Sequence, residues 1–442
     1  MFFLLMMAVF GACMWWLIAA KQLVFRVLAA CLAFVPAMMF GVAAVNKYYD
    51  YYQNWHAAVA DLTSQGVTAP IRLSNTKAGP GFSDFLGHTI NMAAARQQGY
   101  LLTDYIHGPA SNLTRLVYVY LPPQYFQAGF YGTYRFPVIE LLHGFPGNPD
   151  AWINVLGANQ MLQTLMTQGR AKPAVLVMPD VNGGPRVSLQ CLNQAGGPAD
   201  ATYLAADLPQ YIYQHLRVQR PGFGWGVAGY SEGGFCAVNL GLQYGNVFNY
   251  AGVLSGYFVP ADNQLTDPSR EVSPFGGNRQ LALANTPTKE LQSMPPGKPI
   301  PQFWLGVGER DLADTTSSTL FWQALQLRQP AATLRFVPGG GHTMLTWRAL
   351  LPPMLTWMTQ GLYTQILVRD DRLARYHAAA VAAALRRKIE AERKKLQVPL
   401  HGAPLHGAPP HLAPPHGAPL HGPVLPHSAV PGPKAAPRPR PK

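Results

Sequence analysis

Residues 224–242 read Gly-Trp-Gly-Val-Ala-Gly-Tyr-Ser-Glu-Gly-Gly-Phe-Cys-Ala-Val-Asn-Leu-Gly-Leu. The small, apolar run from Gly224 to Gly229 reads as a short strand, and the run from about Glu232 reads as a helix. Between them Gly229-Tyr230-Ser231-Glu232-Gly233 has the form G-x-S-x-G. A serine on so tight a strand-to-helix turn must adopt a strained backbone. Glycine on each side (Gly229, Gly233) lets strand and helix approach without a Cβ clash. The helix N-terminus then offers N–H groups and a positive dipole end to a developing oxyanion. Alone, the pentapeptide carries little weight in a chain with 42 glycines. Its position between a strand and a helix carries the reading.

Working outward, Leu116–Leu121 alternates and stops at Pro122-Pro123, as a strand would. Phe136–Leu142, Ala174–Met178, Val253–Leu254, Phe303–Val307 and Thr333–Val337 are further strand candidates, and Tyr203–Val218 has helical spacing. Strands alternating with helical stretches imply an α/β fold with a doubly wound, mostly parallel sheet. Its site belongs at the carboxyl ends of the strands.

The chemical candidates fall there. Phe303–Val307 runs into Gly308-Glu309-Arg310-Asp311, where either carboxylate could orient a histidine. Asp311 is favoured because it lies further into the loop, with Glu309 the alternative acid. Gly339-Gly340-Gly341-His342 follows the last strand, and His342 arrives in the order Ser, Asp, His. His143 is its one serious rival as base. Leu142-His143-Gly144-Phe145 ends an upstream strand, so the backbone N–H groups of Phe145 and Glu232 are the candidate oxyanion hole. The set implies two-step acyl transfer: His342 takes the Ser231 proton, Asp311 fixes the imidazole, and an acyl-enzyme forms. Such chemistry needs no cofactor and no metal.

At these residues the chain resembles the esterase family that includes S-formylglutathione hydrolase and the secreted mycolyltransferases, and most of all its membrane-anchored actinobacterial branch. The matching stretches are 45–55 (VNKYYDYYQNW), 141–152 (LLHGFPGNPDAW), 228–237 (AGYSEGGFCA), 306–311 (GVGERD) and 339–347 (GGGHTMLTW). The resemblance covers about residues 45–360. It implies an α/β-hydrolase fold and the triad Ser231, Asp311, His342. Where mycolyltransferases carry Asp-Gly-Leu-Arg, this chain has His143-Gly144-Phe145-Pro146, so the Asp and Arg that help hold the sugar are absent. Three functions stay open at this point: a serine carboxylic ester hydrolase at the cell envelope, an envelope acyltransferase moving an acyl group to a sugar or glycerol, and a non-catalytic surface-binding protein on a hydrolase scaffold. The substrate expected is an acyl ester, with lipid and glycolipid among the candidates.

The N-terminus adds a membrane expectation. Phe2–Ala20 and Val27–Val45 are uncharged runs long enough to cross a bilayer, joined by a connector holding Lys21 and Arg26. They read as a two-helix transmembrane hairpin, rather than a cleaved signal peptide or a lipoprotein signal at Cys31. A cytoplasmic connector would leave the catalytic body extracytoplasmic. Cys191 and Cys236 are the two cysteines outside those runs and are candidates for a disulfide closing a loop of about 45 residues. The alternative is two unpaired thiols, with Cys236 packed as a small apolar residue. Net charge is +13. Residues 369–442 hold 13 basic and 4 acidic side chains, a net of +9, and the rest of the chain carries the remaining +4. A nearly balanced body with no zinc-finger or basic helix-turn-helix pattern gives no sign of nucleic acid binding. The expected divisions are a hairpin over 1–45, a juxtamembrane segment over 46–110 holding either a linker or an early pair of strands, a catalytic domain over 111–362, a basic helix over 363–398 and a disordered tail over 399–442. The helix suits either solvent or an anionic envelope surface. In the tail His401, His406, His411, His416 and His421 recur among prolines. That pattern favours a spacer over weak metal binding.

Overall fold

The computed structural model describes residues 8–13, 15–16, 23–49, 90–130, 134–184, 187–260, 274–295, 297–329 and 331–396. The chain divides into two compact units, Met1–Tyr376 and His377–Lys442. The sheet and every candidate site residue lie in the first.

Eight strands form one sheet in the order β1-β2-β4-β3-β5-β6-β7-β8. They are β1 (Tyr100–Gly108), β2 (Leu113–Leu121), β3 (Val138–Leu142), β4 (Val175–Pro179), β5 (Trp225–Tyr230), β6 (Tyr250–Leu254), β7 (Gln302–Gly308) and β8 (Thr333–Val337). From β4 to β8 every pairing is parallel, while β2 runs antiparallel to both β1 and β4. This is the doubly wound, mostly parallel sheet of an α/β-hydrolase. Burial explains the strand sequences. All residues of β3, β4 and β5 are buried, because helices cover both faces of a parallel sheet.

The helices that frame the sheet and flank it include α1 (Leu23–Tyr49), α2 (Met92–Gln98), α3 (Ala158–Thr167), α4 (Leu208–His215), α5 (Glu232–Gln243), α6 (Leu312–Gln326) and α7 (Met344–Leu396), with shorter ones between. On one face Val138, Leu142, Val177, Val227 and Phe303 pack with Phe235 and Val238 of α5, Ile212 of α4 and Phe321 of α6. On the other, Ile139, Leu141, Leu176, Ala228 and Trp304 pack with Trp152, Leu162 of α3 and the Leu350-Leu351-Met354-Leu355-Met358 ridge of α7. Each such fully buried Leu, Val, Met or Phe side chain contributes about 1.5–3 kcal/mol.

Two expected boundaries fall within continuous structure. Ahead of Ser111, where a linker and early strands both stood open, β1 forms a hairpin with β2 in the register Tyr100↔Leu121 through Gly108↔Leu113. Strand β1 escapes a hydrophobicity reading because buried Thr103 and Asp104 interrupt its apolar residues. Its turn is held from afar: the Asp207 carboxylate accepts the N–H groups of Ala110 and Ser111 and the Ser111 hydroxyl, at 2.6–3.0 Å. The second boundary, at 362/363, falls inside α7. That helix continues through Pro352 and Pro353 to Leu396. Every residue from Asp370 to Lys388 is exposed, and Arg369 just upstream is half-buried.

Toward the N-terminus, the second apolar run is helical throughout α1, and Ala30–Lys47 within it is long and apolar enough to cross a bilayer. Of the first run, residues 8–13 and 15–16 are helical. The expected hairpin otherwise lies outside the described residues, as do residues 50–89 and the tail from 397.

At the centre of the sheet sits one uncompensated acid. Glu140 of β3, paired with Val177 and Val227, is fully buried. Neither carboxyl oxygen has a hydrogen-bond partner among the described residues. Burial, and then the nearby charge of Asp200, raise its pKa well above the ordinary carboxylate range. Asp200 is also buried. Desolvation lifts it to about 8, against the lowering effect of Arg115 3.5 Å away. Both acids therefore hold protons in the fold that the unfolded chain releases above its ordinary carboxylate pKa. Native-state protons exceed unfolded-state protons in that window, so stability falls as pH rises from about 4.5 toward the folded pKa. Glu140→Gln is expected to be more stable than wild type, with a gap in melting behaviour that widens from pH 5 to pH 8 by up to about 1.4 kcal/mol per pH unit. Thermal melts across that range check it, and a constant or shrinking gap would contradict the assignment.

Candidate active site

Ser231 occupies the turn between β5 and α5 with φ 54° and ψ −120°. Non-glycine residues seldom adopt such a backbone, at a cost of about 1–3 kcal/mol. Crowding dictates the flanking glycines. A Cβ on Gly229 would lie 2.1 Å from the Gly233 carbonyl oxygen, and one on Gly233 would lie 2.0 Å from the Leu142 carbonyl oxygen. The end of β3, the end of β5 and the start of α5 thus meet backbone to backbone. The turn is pinned by Ser231 N–H donating to the Leu254 carbonyl at 2.9 Å and by the Gly234 and Phe235 N–H groups donating to the Ser231 carbonyl.

His342 comes to the serine from the loop after β8. Its Nε2 lies 2.9 Å from Ser231 Oγ and its Nδ1 lies 2.8 Å from Asp311 Oδ2. With Nδ1–H donated to the carboxylate, Nε2 is free to accept the serine proton. The two loops that carry Asp311 and His342 are locked together. Arg310 N–H donates to the Gly340 carbonyl at 2.7 Å, and a Cβ on Gly308 would meet that same oxygen at 2.4 Å. Trp347, one turn into α7, meets the His342 ring edge-on at 5.0 Å. It also stacks on Tyr230 at 4.6 Å. The ring is thereby packed from the helix that follows it.

Asp314 is a functional candidate that the sequence reading missed. Its Oδ2 lies 2.9 Å from the same His342 Nδ1. Asp311 is the N-cap of α6 and Asp314 stands three residues on, a spacing that places both side chains at one helix end. The available signal was the second carboxylate three residues after Asp311, at the start of the same helix. Burial disfavours the His342 cation, but hydrogen bonds to Asp311 and Asp314 and their charges outweigh it and raise the pKa to about 9. One atom from each of Asp311, Asp314 and His342 lies within 4.8 Å of the others, a spacing a small cation could bridge. A bridging cation would remove the Nδ1–H that orients the ring against Ser231.

Two alternatives do not reach the serine. Glu309 turns away and accepts the Gly339 N–H at 3.1 Å. His143 is fully buried. Its Nδ1 lies 2.9 Å from the Gly144 carbonyl, and its Nε2 accepts the Val181 N–H at 3.1 Å. Both nitrogens serve the loops around them. Those loops include the candidate oxyanion donors. A Cβ on Gly144 would meet the Tyr230 ring at 2.9 Å and Ser231 Cβ at 3.0 Å, so the residue before Phe145 lies against the serine. Glu232 opens α5, where an N–H has no intrahelical partner.

The Glu232 side chain ties the same turn to the loop after β4. It is buried, accepts Asn182 Nδ2–H at 2.8 Å and the Ser188 hydroxyl, and Asn182 Oδ1 accepts the Leu189 N–H at 2.8 Å. Cys191 and Cys236 join that loop to α5, with sulfurs 2.04 Å and Cα atoms 5.5 Å apart.

A family model described as "Putative esterase" matches residues 109–358. Among curated proteins, an uncharacterized protein of Corynebacterium glutamicum is 24% identical over 252 residues, covering 56% of this chain and 57% of that protein. The chain thus spans little more than half the length of this curated relative. Among solved structures, a ferulic acid esterase superposes with a TM-score of 0.52 at 20% identity, over 60% of this chain and 99% of that one. An S-formylglutathione hydrolase from Agrobacterium tumefaciens gives 0.49 at 18%, over 60% and 96%. The ferulic acid esterase shares the fold.

A bridge closing 45 residues constrains the unfolded chain by about 4 kcal/mol under the chain-entropy description. Protein isolated from cells with thiols blocked at lysis is expected to yield Cys191 and Cys236 in one linked peptide under non-reducing mapping. Both cysteines recovered as blocked thiols would reject the bridge.

Proposed function

The chain belongs to the Esterase family, and on that premise we propose that it is a serine carboxylic ester hydrolase using Ser231, His342 and Asp311. The observation that carries this is the unbroken hydrogen-bonded chain from Ser231 Oγ through His342 to Asp311, at 2.9 and 2.8 Å. A binding protein on the same scaffold has no need of a serine in a strained turn with a base aimed at its hydroxyl.

In the first half-reaction His342 Nε2 takes the Ser231 proton as Oγ attacks the ester carbonyl. Asp311 holds the imidazolium that forms. The N–H groups of Phe145 and Glu232 receive the oxyanion. His342 then protonates the leaving alcohol, and an acyl-Ser231 remains. In the second half-reaction His342 draws a proton from water, which attacks the acyl-enzyme and frees the acid.

The acyl side of the substrate is apolar in this reading. The loops after β4 and β6 expose Val187 and Val259, and the first turns of α6 and α7, which follow β7 and β8, expose Leu312 and Leu345. Substrates of this kind include lipid esters. We place the catalytic body outside the cytoplasmic membrane, anchored through the N-terminal apolar segments. The apolar α1 supports anchoring, and a disulfide beside the site suits an oxidising compartment. The exposed basic stretch of α7 would then face anionic envelope components.

Ser231→Ala is expected to lower kcat/KM on an apolar acyl ester by roughly 10³-fold or more, and His342→Ala by a similar factor. The double variant should lose little beyond either single one, because the two act as a unit. Asp311→Asn should lower turnover strongly with the fold intact, and Glu309→Gln far less. Steady-state kinetics on purified variants decides this. Additive losses, or a ranking that puts Glu309 above Asp311, would overturn the assignment.

A further inference from the structure

A single imidazole N–H faces two carboxylates in this site, and the triad uses one of them. His342 Nδ1 lies 2.8 Å from Asp311 Oδ2 and 2.9 Å from Asp314 Oδ2. The side chains of Asp311 and Asp314 are 8% and 14% exposed, so water screens neither well. We propose that Asp314 is a second positioning carboxylate for His342: together with Asp311 it brackets Nδ1, and it sets the pH at which the imidazole becomes free to accept the Ser231 proton. This rests on the reading of His342 as the base.

Nδ1 carries one proton and can donate it fully to one acceptor. A second carboxylate at the same nitrogen places two anions side by side, and their repulsion is relieved when the cluster takes up one further proton. That proton resides on His342 Nε2 or between the two carboxyl groups. On Nε2 it blocks acceptance from Ser231, so the base is held back until the pH rises. Burial and the Asp311 charge both raise the Asp314 pKa, while the hydrogen bond to His342 lowers it. This agrees with an added proton shared within the cluster.

The surrounding groups leave Asp314 as the adjustable charge. Ser231 faces Nε2 from the turn before α5, and Trp347 faces the ring from α7 without charge. Tyr257, from the loop after β6, feels Asp314, but burial pushes its phenol far up and keeps it neutral. Glu309 on the same loop is engaged by the Gly339 N–H, and Arg310 is exposed. Glu232 lies below, held by Asn182 and Ser188.

The test is the pH dependence of kcat/KM from pH 5 to pH 10 on an activated apolar acyl ester, for wild type, Asp314→Asn and Asp314→Ser. The wild-type rate should rise with pH along a limb displaced above the ordinary histidine range. Both variants should move the midpoint of that limb down by about 1 pH unit or more. Their rate relative to wild type should therefore be higher at pH 6–7 than at pH 9–10. Superimposable profiles would make Asp314 a structural bystander and overturn the proposal. So would a collapse at every pH like that expected of Asp311→Asn, because it would make Asp314 the sole acid. Wild-type turnover that survives Ser231→Ala would instead reject the catalytic reading beneath it, a result distinct from an unmoved midpoint.

Discussion

Everything near Ser231 depends on backbone meeting backbone where side chains would ordinarily stand. Gly229, Gly233 and the Leu142 carbonyl approach so closely that any Cβ would collide. That contact forces the serine into a rarely populated conformation and aims its hydroxyl out of the sheet. It also brings the ends of β3 and β5 side by side, so the His143-Gly144 loop lies against the nucleophile. The two core faces supply the compensation. A local cost of a few kcal/mol is tolerated because fully buried strands and helices over-determine the turn.

A second backbone contact does for His342 what the first does for Ser231. Gly308 and Gly340 bring the loops after β7 and β8 together, and the acid and the histidine ride on those loops. The acid pair then follows from helix geometry, since the N-cap and third residues of α6 share one end of the helix. Charge near the base is thus a property of how α6 starts. Elsewhere the molecule keeps buried acids by holding them neutral, as at Glu140 and Asp200. The difference is the presence at the site of a partner able to take a proton.

Much of this was legible in the sequence because it follows from local rules. The G-x-S-x-G stretch, the parallel strands with their continuous burial, and the Ser, Asp, His order all leave short-range marks. Five of the strand readings came within two residues of β3, β4, β5, β7 and β8, and those for β2 and β6 began three residues late. Strand β1 stayed undecided between linker and strand, because polar Thr103 and Asp104 interrupt its apolar residues and its turn is closed by Asp207, 96 and 97 residues away. The run of α7 past residue 362 was hidden by a change from apolar to basic composition within one helix. Asp314 was hidden for a different reason: its partner His342 is 28 residues downstream, and nothing local ties the two together. The burial of His143 was likewise a tertiary fact, fixed by Val181 across the loop after β4.

The central claim is that Ser231, activated by His342, is the nucleophile. Intact-mass analysis after treatment with a fluorophosphonate, followed by peptide mapping, tests it most directly. The account predicts one adduct per chain, carried on Ser231, formed faster as pH rises through the titration of His342 and absent after His342→Ala on the same time scale. An unlabelled wild-type protein, or an adduct on another residue, would contradict it.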